Sequence, residues 1–374
     1  MHILFEEARL KERQKVMGDK AMRIKLAILE NDQNYLKRIV SVFSTKYADK
    51  LEVYSFTDRE LAFQTLDKSR IDVFLSGEVF DIDTDLIPKY CGFSYLVNSP
   101  GVESCRNQRA ICKFQKVDLI YKQILSIYSD NAGSISGLKL GDDSTKVIVF
   151  SSPGGGAGTS SAAAGCAVHY ARQNKKTLYL NLEKYGSSDI FFSADGMFNM
   201  SDVIFALKSK KSNIAMKLES CVKQAESGVY FYSRSQVALD MQELDREDVL
   251  RLISELKLTG SYDYIILDMD FNMDKDTMDI YRQAHAAVWV GDGSEISNIK
   301  LQRAYEALCL MEQNSEEMLS RRLCLVYNRF SSKAGRTAQG IDIKNIGGIP
   351  VYVHADARQV VEQIAPMSMF DKII

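Results

Sequence analysis

The chain has 374 residues, of which 46% are hydrophobic and 26% charged, and its formal net charge is −2. This length predicts two or three globular domains with cores of their own. The near-neutral charge argues against tight nonspecific binding to nucleic acid, and no partner of that class is expected.

The cysteines and the hydropathy pattern indicate a cytoplasmic protein. The seven cysteines are odd in number and include no C-x-x-C pair, which argues against a disulfide scaffold and against a zinc site. The sequence has no segment resembling a signal peptide and no apolar run long enough to cross a bilayer. We therefore expect no direct insertion into a membrane.

The first half of the chain alternates strands and helices. Residues 1–22 form a mixed-charge extension that we expect to be partly helical, and residues 23–130 predict a first doubly wound parallel sheet. Its predicted strands are 24–29, 51–56, 71–75, 93–97 and 110–114, with helices at 35–43, 59–66 and 117–128. Residues 131–145 are rich in glycine and serine and predict a linker.

Residues 146–374 predict a second α/β domain. Its strands read as apolar runs, which is typical of parallel strands that are buried on both faces. The predicted strands are 146–150, 177–182, 228–232, 264–268, 286–290, 322–327 and 351–353. The fold class is therefore α/β, with two doubly wound parallel-sheet domains.

A glycine-rich turn at residues 151–161 is the strongest functional signal. It connects an apolar strand to a helix of small residues, so its backbone N–H groups and the helix N-terminus can face an anion. Ser160 stands where the hydroxyl of a P-loop holds Mg²⁺. The usual P-loop pattern fails twice, because Pro153 stands at its first glycine and Thr159 at its lysine.

The turn resembles the deviant Walker A motif of the MinD/ParA group, K-G-G-x-G-K-[ST]-[ST]. In this alignment Gly154 stands at the signature lysine and Thr159 at the second lysine. The resemblance implies a P-loop domain that binds ATP through Pro153, Gly154, Gly155, Gly156, Ala157, Gly158, Thr159, Ser160 and Ser161.

Other segments follow in the order of that group. Asn181-Leu182-Glu183 stands where the group has Asp-x-Asp, and Asp268 ends a strand that looks like Walker B. The resemblance implies that Mg²⁺ is held by Ser160 and, through water, by Asp268. It also implies that Asn328 reads the adenine base, that the loop with His354, Ala355 and Asp356 walls it, and that Arg329 is among the ATP-binding residues.

The first domain resembles the flavodoxin-like receiver domain of response regulators. Glu30, with Asp32 nearby, stands at the acidic pair, which we interpret as a solvated loop. The phosphoacceptor position falls on Ser76 or Gly77, and Lys116 is the candidate for the receiver lysine. Because neither Ser76 nor Gly77 can form an aspartyl phosphate, we interpret the domain as a pseudo-receiver that serves as a protein-binding surface. A purely structural flavodoxin-like domain is the alternative.

Together the two domains resemble the TadZ/CpaE group, in which a receiver-like domain precedes a MinD/ParA-type ATPase. This resemblance implies an ATP- and Mg²⁺-dependent homodimer, formed through the ATPase domain, that localises or recruits components of a Tad-type pilus assembly system. Its receiver-like domain would bind the pilus-assembly proteins, at a cell pole or at the inner face of the membrane. The alternative is a ParA-like ATPase for DNA or plasmid partitioning, with short basic clusters at 208–211 and 321–322.

The departures from the motif predict slow hydrolysis at most. Loss of a phosphate-stabilising donor costs about 10²–10³ in rate, and loss of an arginine finger about 10³–10⁵. Glu183 is the candidate to position water, with Asp270 as a weaker one. Candidates for the cation that replaces the lysines are Lys184, Arg234 and Arg329.

Overall fold

The computed structural model describes residues 23–131, 145–186, 188–209, 213–313, 318–330 and 335–374. These residues form two compact units, the first made of 23–131 together with 213–220, and the second made of the rest. The extension 1–22 and residues 132–144 of the predicted linker lie outside the described residues. The segment 213–220, which the sequence places within the second domain, clusters with the first.

The first unit is a six-stranded sheet with the order β2-β1-β3-β4-β6-β5. Its strands are β1 (Ile24–Leu29), β2 (Leu51–Phe56), β3 (Val73–Gly77), β4 (Gly92–Val97), β5 (Ser104–Cys105) and β6 (Gln108–Cys112). Its helices are α1 (Gln33–Lys46), α2 (Arg59–Lys68) and α3 (Val117–Asn131). The five predicted strands pair in parallel, and β5 adds a short antiparallel edge.

The central strands of this unit are buried on both faces. Leu26 and Ile28 of β1 pack in one apolar cluster, whereas Ala27 and Leu29 pack in another on the opposite side. This alternation follows from the two-residue period of a strand, and it explains why β1 reads as a continuous apolar run.

The segment 213–220 supplies part of helix α6 (Ile214–Cys221) to the first unit. Leu218 is buried, and Met216 packs against the apolar cluster that contains Leu26. Lys217, also buried, donates from Nζ to Ser126 Oγ of α3 at 2.9 Å. A buried lysine requires such a partner, so this helix is an integral part of the unit.

The second unit is an eight-stranded sheet with the order β14-β13-β12-β7-β11-β8-β10-β9. Its strands are β7 (Lys146–Ser151), β8 (Thr177–Asn181), β9 (Lys223–Gln224), β10 (Tyr230–Phe231), β11 (Tyr264–Asp268), β12 (Ala286–Gly291), β13 (Leu323–Asn328) and β14 (Lys344–Ile349). Its helices are α4 (Thr159–Arg172), α5 (Met200–Lys208), α7 (Arg246–Leu258), α8 (Lys275–Arg282), α9 (Glu295–Glu312) and α10 (Ala357–Ile364). Among the described strand pairs of this second sheet, only the pair of β9 with β10 is antiparallel.

One predicted strand is wrong. Residues 351–353 are not a strand, and Val351 and Val353 are exposed; the edge strand is β14, which pairs in parallel with β13 from Cys324↔Lys344 to Asn328↔Ile349. Pro350 follows β14 and has no N–H to continue the ladder. The apolar Val-Tyr-Val run therefore lies beyond the sheet.

Within the described ranges, every helix is too short or too polar to reach across a bilayer. All seven cysteines are unpaired thiols. These free thiols are consistent with the expectation that the chain has no disulfide framework.

Candidate functional site

The glycine-rich turn leaves the carboxyl end of β7, which lies between β12 and β11 in the sheet. In a parallel sheet the carboxyl ends of neighbouring strands meet at one edge, where ligands of α/β proteins bind. The turn therefore has the ends of β12 and β13 on one side and the ends of β11 and β8 on the other.

The turn, defined here as the glycine loop (residues 152–158), is open at its tip. Gly155 and Gly156 both have φ of 64°, a conformation that favours glycine, and a side chain at either position would meet no atom within 4 Å. Ser152 fixes the start of the loop, because its Oγ accepts from Gly154 N at 3.2 Å and donates to Val290 O of β12 at 2.6 Å. The space above the loop can accept a ligand.

Asn328 holds the other end of the loop. This buried side chain, at the end of β13, donates from Nδ2 to Ala157 O at 2.8 Å. Gly158, with φ of 80°, comes so close that a Cβ there would lie 2.1 Å from Asn328 Nδ2, so the position requires glycine. The structure thus brings Asn328 to the loop, whereas its reading of an adenine base stays a prediction.

A buried carboxylate lies on the opposite side of the loop. Asp268, fully buried at the end of β11, accepts from Tyr179 Oη at 2.6 Å and from Asn181 Nδ2 at 3.0 Å, both through Oδ2. Its other oxygen, Oδ1, has no hydrogen-bond partner among the described residues. Burial raises the pKa of Asp268 to about 7, and the negative charge of Glu183 adds to the rise.

This donor set fits a divalent cation. Ser160, in the first turn of α4, donates from Oγ to Glu183 Oε2 at 3.1 Å, and Asn181 Nδ2 donates to the same oxygen at 3.0 Å. Hydroxyl and carboxylate oxygens are the ligands that Mg²⁺ takes, and no cationic side chain among the described residues pairs with Asp268, whose hydrogen bonds come from Tyr179, Asn181 and Ser160. Ser160 and Asp268 are therefore the residues that would hold the metal, directly or through its water.

Asp270 has a structural contact instead. Its Oδ2 accepts from Lys184 N at 3.0 Å, which fixes the segment after Glu183. The two candidates for positioning water therefore have different surroundings. Glu183 accepts a hydrogen bond from Ser160, whereas Asp270 accepts one from the backbone N–H of Lys184.

The predicted base-wall residues lie in a separate turn. His354 has φ of 66° and is exposed, and Asp356 caps α10, its side chain accepting from Gln359 N at 2.9 Å. Ala355 lies between them and is half-buried. Among the hydrogen bonds and ion pairs of the described residues, none joins this turn to the glycine loop, and its role remains a prediction.

Sequence reasoning missed two side chains at the site. Lys300 of α9 donates from Nζ to Gly154 O at 3.3 Å, and Tyr179 supplies the shortest hydrogen bond to Asp268. Tyr179 could have been found from its spacing, because it precedes Asn181 by two residues and so shares its face of β8. For Lys300 no local pattern exists, since 146 residues separate it from Gly154.

The corresponding edge of the first sheet is closed by an ion pair. Glu30, at the end of β1, is fully buried, and its Oε2 lies 2.8 Å from Nζ of buried Lys113. The interpretation of Glu30 as a solvated residue is therefore wrong, and Lys113, not Lys116, stands at the lysine position. Gly77 leaves room for this carboxylate, since a Cβ there would lie 2.9 Å from Glu30 Oε2. Asp32 is exposed and caps α1.

Residues 22–129 match the family model described as "TadZ-like, receiver domain". No curated protein matches the chain. Among solved structures, a ParA family ATPase from Chlorobium tepidum TLS has 19% identity and a TM-score of 0.48, covering 62% of this chain and 96% of its own. MinD from Pyrococcus horikoshii OT3, complexed with Mg-ADP, has 18% identity and a TM-score of 0.47, covering 61% and 92%.

These structural neighbours are too distant to carry information about activity. The family match covers the first unit, and the second unit has its own parallel sheet with a glycine loop after β7. Residues 22–129 therefore resemble TadZ-like receiver domains, and this stretch precedes a second parallel-sheet unit that carries the glycine loop.

Proposed function

We propose that this protein is an ATP- and Mg²⁺-binding, slowly hydrolysing dimeric scaffold that recruits components of a Tad-type pilus assembly system. The observation that carries the nucleotide proposal is the pairing of an open glycine loop with a buried, unpartnered carboxylate oxygen on Asp268. The loop offers N–H groups to phosphate oxygens, and the carboxylate offers an oxygen to Mg²⁺.

The chain's own residues divide the work at this site. Gly155 and Gly156 keep the loop free of side chains, Ser160 and Asp268 would hold the metal, and Glu183 would orient water. Mg²⁺ would neutralise part of the phosphate charge. Hydrolysis is expected to be slow because Gly154 and Thr159 stand where the related motif carries lysines.

Exposed apolar residues beside the loop support a nucleotide-linked homodimer. Ile296 and Ile299 of α9 have 69% and 49% of their surfaces exposed, and Lys300 on the same helix contacts the loop. Adjacent exposed isoleucines are typical of a surface that a partner covers. ATP would favour the dimer only to the extent that it binds the dimer more tightly than the monomer.

The receiver-like unit would carry the partner-binding role. Its match to the TadZ-like receiver family and the internal Glu30–Lys113 ion pair support a surface that acts without phosphorylation. The pilus-assembly proteins would place the scaffold at a pole or at the inner face of the membrane. We include in the same proposal the contacts to the adenine base, which would be made by Asn328, His354, Ala355 and Asp356. We also include the domain boundaries, 23–130 for the receiver-like domain and 146–374 for the ATP-binding domain.

Calorimetry with millimolar ATP and Mg²⁺ tests the nucleotide proposal directly. The full chain should bind ATP, and Gly155→Val should bind it weakly, because a β-branched residue is strained at positive φ and fills the open tip. Gly101→Val is the control, since Gly101 also has positive φ and open surroundings but lies in the first unit. Absence of heat with the unmodified chain would refute the proposal.

Sedimentation velocity with and without ATP·Mg²⁺ tests the dimer. Ile296→Glu with Ile299→Glu should leave the chain monomeric in ATP, whereas Leu310→Glu, at an exposed position near the other end of α9, should not. Dimers that form equally with and without nucleotide would contradict the switch.

Two basic side chains of the clusters that could bind DNA already have partners within the protein. Lys208 is paired with Asp248 at 2.5 Å and Asp245 at 3.2 Å, and Arg322 donates to Ala284 O at 2.6 Å. A salt-dependent DNA titration would decide this alternative.

A further inference from the structure

We propose that Lys300 and Arg329 supply, from outside the glycine loop, the positive charge that its sequence lacks, and that they bind the β- and γ-phosphate groups of the nucleotide. This inference rests on the proposed ATP binding and specifies how the phosphates are recognised.

The two cations reach the loop from two different elements. Lys300 Nζ lies 3.3 Å from Gly154 O, and Arg329 Nη1 lies 3.4 Å from Gly156 O. A Cβ at Gly158 would lie 4.0 Å from Arg329 Nη2, so the guanidinium lies alongside the loop. Both charged groups therefore border the open space above Gly155 and Gly156.

Neither cation is neutralised within the described part of the chain. Lys300 and Arg329 form no ion pair there, and the hydrogen bond that each side chain donates goes to a carbonyl oxygen of the loop. Lysines elsewhere, such as Lys113 and Lys208, are matched to carboxylates. A cation held only by a carbonyl oxygen can transfer its hydrogen bonds to a phosphate, because a bond to a charged acceptor is stronger.

The backbone of Arg329 is held in an uncommon conformation that keeps it at the loop. Its φ is 55°, a left-handed value that non-glycine residues seldom adopt. Asn328 maintains it, because Oδ1 accepts from Arg329 N at 3.0 Å while Nδ2 donates to Ala157 O at 2.8 Å. The same side chain thus ties the loop and the arginine together.

The sheet order separates the charges across the loop. Lys300 and Arg329 follow β12 and β13 on one side, whereas Glu183 and Asp268 lie at the ends of β8 and β11 on the other. A phosphate chain lying on Gly155 and Gly156 would have cations on one flank and the metal-binding acids on the other. Among Lys184, Arg234 and Arg329, the three cations that the sequence suggests, Arg329 is the one whose side chain hydrogen-bonds the loop within the described residues.

Calorimetry with ATP, ADP and AMP in the presence of Mg²⁺ tests the inference on the full chain. Lys300→Met and Arg329→Gln should each weaken ATP binding about tenfold, and leave AMP binding unchanged. The matched controls are Arg303→Met on α9 and Arg321→Gln, which precedes β13 as Arg329 follows it; both should bind ATP like the unmodified chain. Lys300→Arg should retain most of the ATP affinity.

The outcomes separate this inference from the proposed function. If the unmodified chain binds ATP and both variants bind it equally well, the inference is overturned and the proposed function stands. Equal losses for ATP and AMP would also overturn it, because such losses indicate a damaged fold or base site. If the unmodified chain binds no nucleotide, both this inference and the proposed ATP binding are refuted. The thermal midpoint without nucleotide should be the same for all variants, which keeps unfolding out of the comparison.

Discussion

The two sheets each end in a buried carboxylate at their carboxyl edge, and the two charges are compensated differently. In the first unit Glu30 lies 2.8 Å from the ammonium of Lys113. In the second, the side chains that hydrogen-bond Asp268 among the described residues, those of Tyr179, Asn181 and Ser160, are all uncharged. At the first edge the ammonium of Lys113 neutralises the buried carboxylate and leaves no role for a metal ion. At the second edge no cationic side chain among the described residues pairs with Asp268, so this carboxylate is suited to bind a metal ion.

The largest effect expected from this difference is at Lys113. Lys113→Met should lower the free energy of unfolding of the first unit by about 3–5 kcal/mol, because it leaves Glu30 buried and uncompensated. Denaturant titration measures it, with Lys116→Met, an exposed lysine nearby, as the control. Glu30→Gln combined with Lys113→Met should restore most of the loss. A single variant as stable as the unmodified chain would show that the pair contributes nothing.

Next in size is the effect of restoring the missing lysines. Gly154→Lys with Thr159→Lys should raise ATP turnover about 10²-fold, since charge would then stabilise the transition state. Gly154 can accept a side chain because its Cβ position lies 3.2 Å from Ser297 Oγ, which requires only a small shift. The methionine pair at the same positions controls for size. Unchanged turnover with ATP still bound would show that the lysines do not limit the rate.

A smaller effect is expected when a second acid enters the closed edge. Gly77→Asp should destabilise the first unit by about 2 kcal/mol, because the new side chain crowds Glu30 and competes for Lys113. It should also take up no phosphoryl group from acetyl phosphate. Gly77→Asn has the same size without the charge and should cost less. Stable phosphorylation of the variant would show that the edge can still work as a receiver.

The smallest effect is expected at the open edge. Asp268→Asn should reduce the Mg²⁺-dependent gain in ATP affinity about tenfold while leaving stability without nucleotide unchanged or higher, since a buried charge is removed. Asp270→Asn, whose carboxylate accepts from a backbone N–H, should keep the Mg²⁺ response. If Asp268→Asn lowered the free energy of unfolding as much as Lys113→Met does, Asp268 would have a structural role like that of the Glu30–Lys113 pair.

Most of the fold could be predicted because buried parallel strands are continuous apolar runs. Strands such as β1 and β11 have the bounds that their sequence indicates. The two-residue strands β5 and β9 were missed because they are too short to show a period. The edge strand β14 was misplaced, since its two central glycines hide it and an apolar run follows Pro350.

The site was predictable where its residues follow strand ends. Asp268, Glu183 and Asn328 were proposed in this way. In the structure Asn328 donates to Ala157 of the loop, and Glu183 and Asp268 share the hydrogen-bond donor Asn181, while their roles stay predictions. Lys113 was missed because β6 ends two residues earlier than predicted, which changes the residue at its end. Lys300 could not be found, because only the tertiary fold brings it to Gly154, which lies 146 residues earlier in the chain.

Helix α6 has a consequence for how the protein can be divided. The chain leaves the first unit, returns to it for residues 213–220, and enters the second unit again. A fragment ending at residue 131 would therefore leave Ser126 without the ammonium of Lys217 and uncover the apolar surface that Met216 contacts. Domain exchange between related chains should succeed only when this helix travels with the receiver it completes.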